Sequence, residues 1–165
     1  MHGQPSFELR PANWTADRAA LQSVRRSVFI VEQGIPEAEE WDDIDPVAAH
    51  VLVLAQNRDA VGTGRLEPTG KIGRVAVLPQ CRGAGVGSLI MRHLVNHATE
   101  SGFTRVYLHA QVAARSFYER LGFRADGPVF DEVGIPHQRM TLGIGREDGN
   151  EAGSHRHEGH PLVAR

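Results

Sequence analysis

One segment of the chain has the composition of an anion-binding turn: Arg82-Gly83-Ala84-Gly85-Val86-Gly87-Ser88. It follows a predicted strand that ends at Pro79, and it opens a helix predicted from about Gly85 to Ser101. The first N–H groups of a helix lack intrahelical partners, and the helix dipole adds partial positive charge there, so such an end binds phosphate. Glycines let the backbone close on an anion, and Arg82 can add a charged contact.

The spacing within this turn argues against two common phosphate ligands. A nucleoside-triphosphate loop would end in Gly-Lys-Ser or Gly-Lys-Thr, which the chain lacks here. A dinucleotide fingerprint would place a third glycine where Ser88 stands, and it would follow the first strand of a βαβ unit. Taken alone, the turn is also compatible with a simple helix cap.

A second segment could supply an acid to a leaving group: Gln111-Val112-Ala113-Ala114-Arg115-Ser116-Phe117-Tyr118-Glu119-Arg120-Leu121-Gly122-Phe123. Its apolar residues Phe117, Leu121 and Phe123 are predicted core anchors, and Gly122 is a predicted helix C-cap. Tyr118 is not required by that core. Its phenol is therefore a candidate general acid.

Hydrophobic periodicity predicts the elements that position these segments. Asn13 or Thr15 can cap a first helix, which runs to about Gly34 with an apolar stripe that includes Val31. Predicted strands cover residues 7–10, 48–55, 60–66, 71–78, 104–110 and 137–142, with further extended structure from Phe123 and a helix over 112–121. Three central strands joined by short turns indicate an antiparallel meander. Gly62 and Gly64 predict a bulge or a close backbone approach.

Composition bounds the remaining possibilities. The chain has 165 residues, a net charge of -2 and a single cysteine, Cys81, which we assign to packing. We expect a cytoplasmic protein with no nucleic-acid or membrane partner and no metal. Residues 145–165 form a polar tail that we expect to be mobile, in which the histidines at 155, 157 and 160 would bind metal only adventitiously.

Together the two segments resemble the GNAT superfamily of N-acetyltransferases. RGAGVG matches its RxxGxG acetyl-CoA signature, and ARSFYERLGF is similar to its second hallmark, FYxxxGF. The resemblance covers about Phe7 to Ile144. VRRSVFIVEQGIPEAEEWDDIDPVAAH and GIPHQRM are similar to the ElaA-like branch.

This resemblance implies an α/β (α+β) GNAT fold in a single domain over residues 1–144. The expected architecture is a central mixed, mostly antiparallel twisted sheet of about six to seven strands flanked by about four helices. The implied activity is acetyl transfer from acetyl-CoA, as co-substrate, to a primary amine by direct attack. The alternative is an acyl-CoA sensor or interaction module without turnover.

The resemblance also carries site residues onto this chain. Tyr118 matches the tyrosine that protonates the CoA thiolate, and Gln111 stands where many members have asparagine. The strand before the turn would pair with pantetheine, and a backbone N–H such as that of Val77 would stabilise the oxyanion. The implied CoA contacts are Val75, Ala76, Val77, Arg82, Gly83, Ala84, Gly85, Val86, Gly87, Ser88, Gln111, Ser116 and Tyr118.

The general base is not fixed by the motifs. Strand alternation places Tyr107, His109 and Gln111 on one face, so His109 is a candidate if Gln111 faces the cleft. Glu32, at the end of the first helix, is a second candidate. His50 and His137 are weaker ones.

The acceptor is suggested only by charge. The acidic stretch from Glu37 to Asp45 is either a solvated segment with Trp41 packed inward or a lip that attracts a cationic small-molecule or peptide amine. Arg65 and Arg74 either neutralise acidic neighbours or contact an anionic part of the substrate. Such domains often pair, so a homodimer is also compatible with the resemblance.

Overall fold

A computed structural model describes residues 3–145 of the protein, and all elements given below lie within them. Seven strands and four helices follow one another as β1 (Phe7–Ala12), α1 (Arg18–Arg25, continued as a π-helix over Arg26–Glu32), α2 (Glu37–Glu40), β2 (Ala49–Ala55), β3 (Ala60–Leu66), β4 (Ile72–Val77), α3 (Val86–Glu100), β5 (Arg105–Gln111), α4 (Arg115–Arg120), β6 (Arg124–Glu132) and β7 (Ile135–Gly143). Short 3₁₀ turns at Pro79–Cys81 and Val112–Ala114 precede α3 and α4. Of the polar tail, only Gly145 is described, so the expectations for its mobility and its histidines lie outside these residues.

The strands form two antiparallel sheets, ordered β1-β2-β3-β4 and β5-β7-β6. A parallel bridge between Lys71 and Tyr107 joins them, and the Tyr107 N–H donates to Gly70 O at 3.2 Å. Beyond this bridge β4 and β5 diverge. The expected mixed, mostly antiparallel sheet with about four helices is confirmed, as is the central meander. None of the helices in residues 3–145 combines the length and apolar character needed to cross a bilayer.

The first helix differs from its prediction at both ends. The Asn13 side chain accepts from the N–H groups of Thr15 and Ala16, so it caps a preceding turn, and α1 begins at Arg18. Val31, expected in the apolar stripe, is 75% exposed. The reason is the switch to π-helical hydrogen bonding after Arg25, which changes the angular spacing of later side chains.

Helix α3 packs directly on the two glycines of β3. A Cβ built on Gly64 would lie 2.8 Å from Ile90 Cγ2, and one on Gly62 would lie 3.0 Å from Val86 Cγ1. The β3–β4 register also shifts between Thr63 and Arg65, which marks a bulge. Both predictions for these glycines are therefore confirmed. The close contact sets the height of the N-terminus of α3 above the sheet.

We expect Gly64→Ala to lower the free energy of unfolding by about 1–3 kcal/mol, because the added methyl group meets a packed side chain with no free space. Urea denaturation measures this. The matched control is Gly73→Ala on the adjacent strand, where a Cβ has no atom within 4 Å. Equal destabilisation by both substitutions would contradict the packing explanation.

Candidate functional site

The divergence of β4 and β5 opens a cleft of ≈ 710 Å³. Its lining comes from the end of the first helix, the α1–α2 segment, β4, the glycine-rich turn, the start of α3, β5, α4 and the β6–β7 hairpin. Both sequence segments identified above therefore meet at one cavity. Ala84 and Ser116 do not line it.

The glycine-rich turn presents a helix N-terminus to this cleft. Gly83 and Gly85 have φ angles of 78° and 84°, in the left-handed region that favours glycine. The first hydrogen bond of α3 runs from the Leu89 N–H to Gly85 O, and no side chain among residues 3–145 caps the helix. Three N–H groups, those of residues 86–88, thus lack intrahelical partners. They can hold an anion that enters the cleft.

The β4 edge of the cleft carries backbone groups suited to an extended ligand. The Leu78 N–H donates to Val61 O on β3 at 2.9 Å. Because successive residues of a strand direct their backbone groups to opposite edges, those of Val77 face away from β3. The Arg82 Nε–H, which donates to Val77 O at 3.0 Å, occupies part of this edge.

Glu32 pairs with Arg82 instead of facing the cleft. Its carboxylate oxygens accept from both terminal nitrogens of Arg82, at 2.7 and 2.6 Å. The hydrogen bond from Arg82 lowers the pKa of Glu32. Glu32 is absent from the cleft lining, and the lowered pKa weakens it as a proton acceptor.

Tyr118 lies at the inner part of the cleft on α4. Its ring packs edge-on against Phe117 and Phe123, with centroids 5.0 and 6.1 Å away. Burial raises the pKa of Tyr118 to about 12. The helix ends as expected, because Gly122 has a φ of 96° and the Phe123 N–H donates to Tyr118 O.

Gln111, at the end of β5, pairs with a residue from the opposite wall. Its Nε2 donates to Gln33 Oε1 at 2.8 Å, and Gln33 Nε2 donates back at 3.3 Å. This reciprocal pair links the end of the first helix to β5. A ligand contact by the Gln111 side chain would use its second N–H or the other lone pair of Oε1, or would replace one of these bonds.

His109 faces the cleft beside a carboxylate that the sequence did not reveal. His109 and Gln111 both line the cleft, as strand alternation predicts, and their neighbours Leu108 and Ala110 are buried. Its Nδ1 lies 3.2 Å from Glu132 Oε1. Glu132 also approaches His137 Nε2 at 3.6 Å, while His137 Nδ1 bonds to Ile135 O.

This contact orients the His109 ring. A proton on Nδ1 satisfies the carboxylate and leaves the Nε2 lone pair available, with no partner among residues 3–145. Burial raises the pKa of Glu132, but the hydrogen bond from His109 and the charge of Lys71 outweigh burial, so the net pKa is lowered. Glu132 therefore remains an anion that accepts the Nδ1 proton of His109 in a hydrogen bond.

Most carboxylates of the acidic stretch form ion pairs with arginines. Arg25 contacts Glu40 at 2.8 Å and Asp45 at 2.7 Å, while Arg65 contacts both Asp45 and Asp42 at 2.7 Å. The prediction that this stretch is solvated is therefore wrong for Glu40 and Asp45, which are buried. Their desolvation is offset only by charged partners.

Arg65 and Arg74 belong to this network. Arg74 contacts Glu40 and Asp42 at 3.2 and 3.3 Å, so both arginines neutralise acidic neighbours, the first of the two roles considered for them. His50 is a structural residue: it is buried, its Nε2–H donates to Asp45 O at 2.8 Å, and its ring stacks on Trp14. It does not line the cleft.

Comparison with known proteins is consistent with this geometry. A model of the GNAT acetyltransferase domain matches residues 22–144. The chain belongs to the GNAT acetyltransferase family. It is 39% identical over 137 residues to YyaT, an uncharacterized protein of Bacillus subtilis, covering 79% of this chain and 92% of that one. It is 35% identical over 136 residues to ElaA of Escherichia coli, covering 78% and 86%.

Solved structures of GNAT proteins agree. Escherichia coli ElaA superposes with a TM-score of 0.72 at 30% identity, covering 81% of this chain and 98% of ElaA. An acyl-CoA N-acyltransferase of Pseudomonas aeruginosa superposes with a TM-score of 0.71 at 30% identity, covering 82% and 99%. The expected likeness to the ElaA-like branch is confirmed, and the GNAT assignment places the chain among acyltransferases.

The ionic network should make this GNAT domain sensitive to acid. Burial raises the pKa of Asp42, but Arg65 and Arg74 outweigh it and bring the pKa to about 2, below the ordinary 3.8. The stabilisation is present above about pH 4 and is lost as pH falls toward 2. We expect Asp42→Asn to cost about 1 kcal/mol at pH 7, allowing for partial exposure, and to flatten the fall in stability between pH 4 and 2.

The measurement is the free energy of unfolding from urea titrations at several pH values. Asp43→Asn is the matched control, because Asp43 is the exposed neighbour outside the network. An acid-induced loss of stability that is the same in Asp42→Asn and the unsubstituted protein would contradict the assignment.

Proposed function

We propose that the protein is an N-acetyltransferase that moves the acetyl group of acetyl-CoA to a primary amine by direct attack. The observation that carries this proposal is the meeting of an uncapped helix N-terminus and the protonated Tyr118 in one cleft. The first suits the anionic part of the donor, and the second suits its leaving group.

The donor fits the cleft along its length. The pyrophosphate would lie at the turn 82–88, where free N–H groups and the helix dipole meet. Pantetheine would extend along β4 and pair with the backbone of Val75–Val77. Arg82 would reach the pyrophosphate by exchanging Glu32 for phosphate oxygens.

Acetyl transfer then requires two proton movements. The neutral amine attacks the thioester carbonyl, forming a C–N bond, and the N–H of Val77 stabilises the oxyanion. As the intermediate collapses, the C–S bond breaks and the Tyr118 phenol donates its proton to the thiolate. With a pKa of about 12, Tyr118 holds that proton throughout the neutral range.

His109 is the better supported of the two candidate bases. It lines the cleft, and Glu132 orients it with Nε2 available. Glu32 lies outside the lining and is engaged by Arg82. His109 would therefore accept the proton that the attacking nitrogen loses, directly or through water.

The charge of the cleft supports a cationic acceptor. Apart from the donor turn, five carboxylates and three cationic side chains line it: Glu39, Glu40, Asp42, Glu67 and Glu132, with Arg65, Lys71 and Arg74. The excess of two negative charges would attract an ammonium group. This excess is more modest than the acidic stretch alone suggested. The cytoplasmic location and homodimer remain predictions from the sequence.

Tyr118→Phe tests the role of the acid. We expect kcat to fall by about 10²–10⁴-fold with little change in the KM for acetyl-CoA, because the lost group acts only as the thiolate leaves. Thiol release across a panel of amines measures this. Tyr107→Phe is the control, because Tyr107 does not line the cleft and bonds to Thr69.

An unimpaired Tyr118→Phe enzyme would remove the proposed role. Tight acetyl-CoA binding by the unsubstituted protein, measured by calorimetry, without thiol release for any amine would instead support the sensor alternative.

His109→Gln and Glu32→Gln separate the two candidate bases. We expect His109→Gln to lower kcat/KM for the amine by about 10²-fold, because glutamine cannot accept the proton. Glu32→Gln should leave kcat within about twofold and chiefly change the KM for acetyl-CoA by releasing Arg82. Steady-state kinetics decide the matter, and the reverse pattern would make Glu32 the base.

A further inference from the structure

The turn between β6 and β7 holds a valine in an unfavourable backbone conformation. Val133 has a φ of 48°, and Gly134, which follows it, has a φ of 77°. Glu132 pairs with Ile135, so the hairpin closes over these two residues alone. Such turns favour Asn-Gly, because a β-branched residue is strained in the left-handed region.

Packing within the protein does not offset this strain. Val133 is 38% exposed and belongs to none of the apolar clusters found in residues 3–145. Strained residues cluster at active sites and ligand-binding segments, where the surrounding structure holds them in place. The valine side chain itself, and not only the turn, therefore needs an explanation.

The position of Val133 in the cleft explains why a valine stands in this turn. It lines the cleft directly after Glu132, the carboxylate beside His109. Two residues later, Ile135 packs against the apolar cluster that contains Phe29 and Ile35. The hairpin tip therefore lies beside the α1–α2 segment.

We infer that Val133 contacts the aliphatic stem of the acceptor, whose nitrogen lies beside the His109–Glu132 pair. This inference rests on the proposed acetyltransferase function. It narrows the acceptors to amines with a methylene chain next to the nitrogen. Each methylene that leaves water against Val133 would strengthen binding, while a polyhydroxylated amine would gain nothing from this contact.

The test compares Val133→Asn with Val133→Thr, using acetyl-CoA and the series ethylamine, butylamine and hexylamine. Asparagine relieves the strain and removes the apolar contact. We expect its Tm to rise by about 2–4 °C and its KM for hexylamine to rise about fivefold or more, with a smaller rise for ethylamine. The KM for acetyl-CoA should not change. Threonine keeps the β-branch and the strain, so it should raise the KM for hexylamine several-fold without a gain in Tm.

Arg58→Asn is the matched control for strain outside the cleft; it also removes an exposed ion pair with Glu8, which contributes little to stability. Arg58 has a φ of 74° in the β2–β3 turn and does not line the cleft. The Arg58→Asn substitution should raise Tm without changing any KM. An unchanged KM for hexylamine in both Val133 variants, with thiol release intact, would overturn only the contact. Preference of the unsubstituted enzyme for polyhydroxylated amines over hexylamine would also overturn it. Absence of thiol release with every amine would overturn the proposed function itself.

Discussion

Strands β4 and β5 run parallel, yet in residues 3–145 they are bridged only between Lys71 and Tyr107. Backbone groups in a protein interior need hydrogen-bond partners, and two neighbouring strands would normally supply them to each other. Past the bridge, these strands cannot do so. Their facing edges must find solvent, side chains or an extended ligand. The Arg82 Nε–H, which donates to Val77 O, satisfies one of these backbone groups with a side chain of the protein itself.

Two features keep the gap open. On one face, α3 rests on Gly62 and Gly64, which brings its N-terminus to the β4 edge. On the other face, Asp45 lies between Arg25 and Arg65 and ties the segment after α2 to both the first helix and β3. Removing one member of such a buried group would leave an uncompensated charge, so the network defines one position for this wall of the cleft.

Local signals in the sequence predicted the segments that form the proposed donor half of the site. The glycine spacing, the strand before it and the Phe117–Phe123 segment each act within a few residues, and the structure brings them together as expected. The acceptor half depends on contacts between distant residues. Glu132 lies 23 positions from His109 in the sequence. The two residues come together because β7 lies between β5 and β6 and pairs with both. The prediction that the acidic stretch is solvated failed for the same reason, since its partners Arg25, Arg65 and Arg74 come from other elements.

Some departures were local but not visible in hydrophobic periodicity. The π-helical end of the first helix exposed Val31, because periodicity assumes a constant angle per residue. The Val133-Gly134 turn carries no Asn-Gly signal, so the hairpin was recognised only as extended structure on either side. Both sites lie next to the cleft, where a sequence is least bound by local preference.

The exposed Arg82–Glu32 pair would affect how the binding of an anionic donor depends on ionic strength. Salt ordinarily weakens the binding of an anionic ligand by screening its attraction to the protein. Here the same screening weakens a competing intramolecular attraction, because both side chains are substantially exposed. The two effects oppose each other, so the affinity for the donor would vary less with salt than the charge of its pyrophosphate alone would predict.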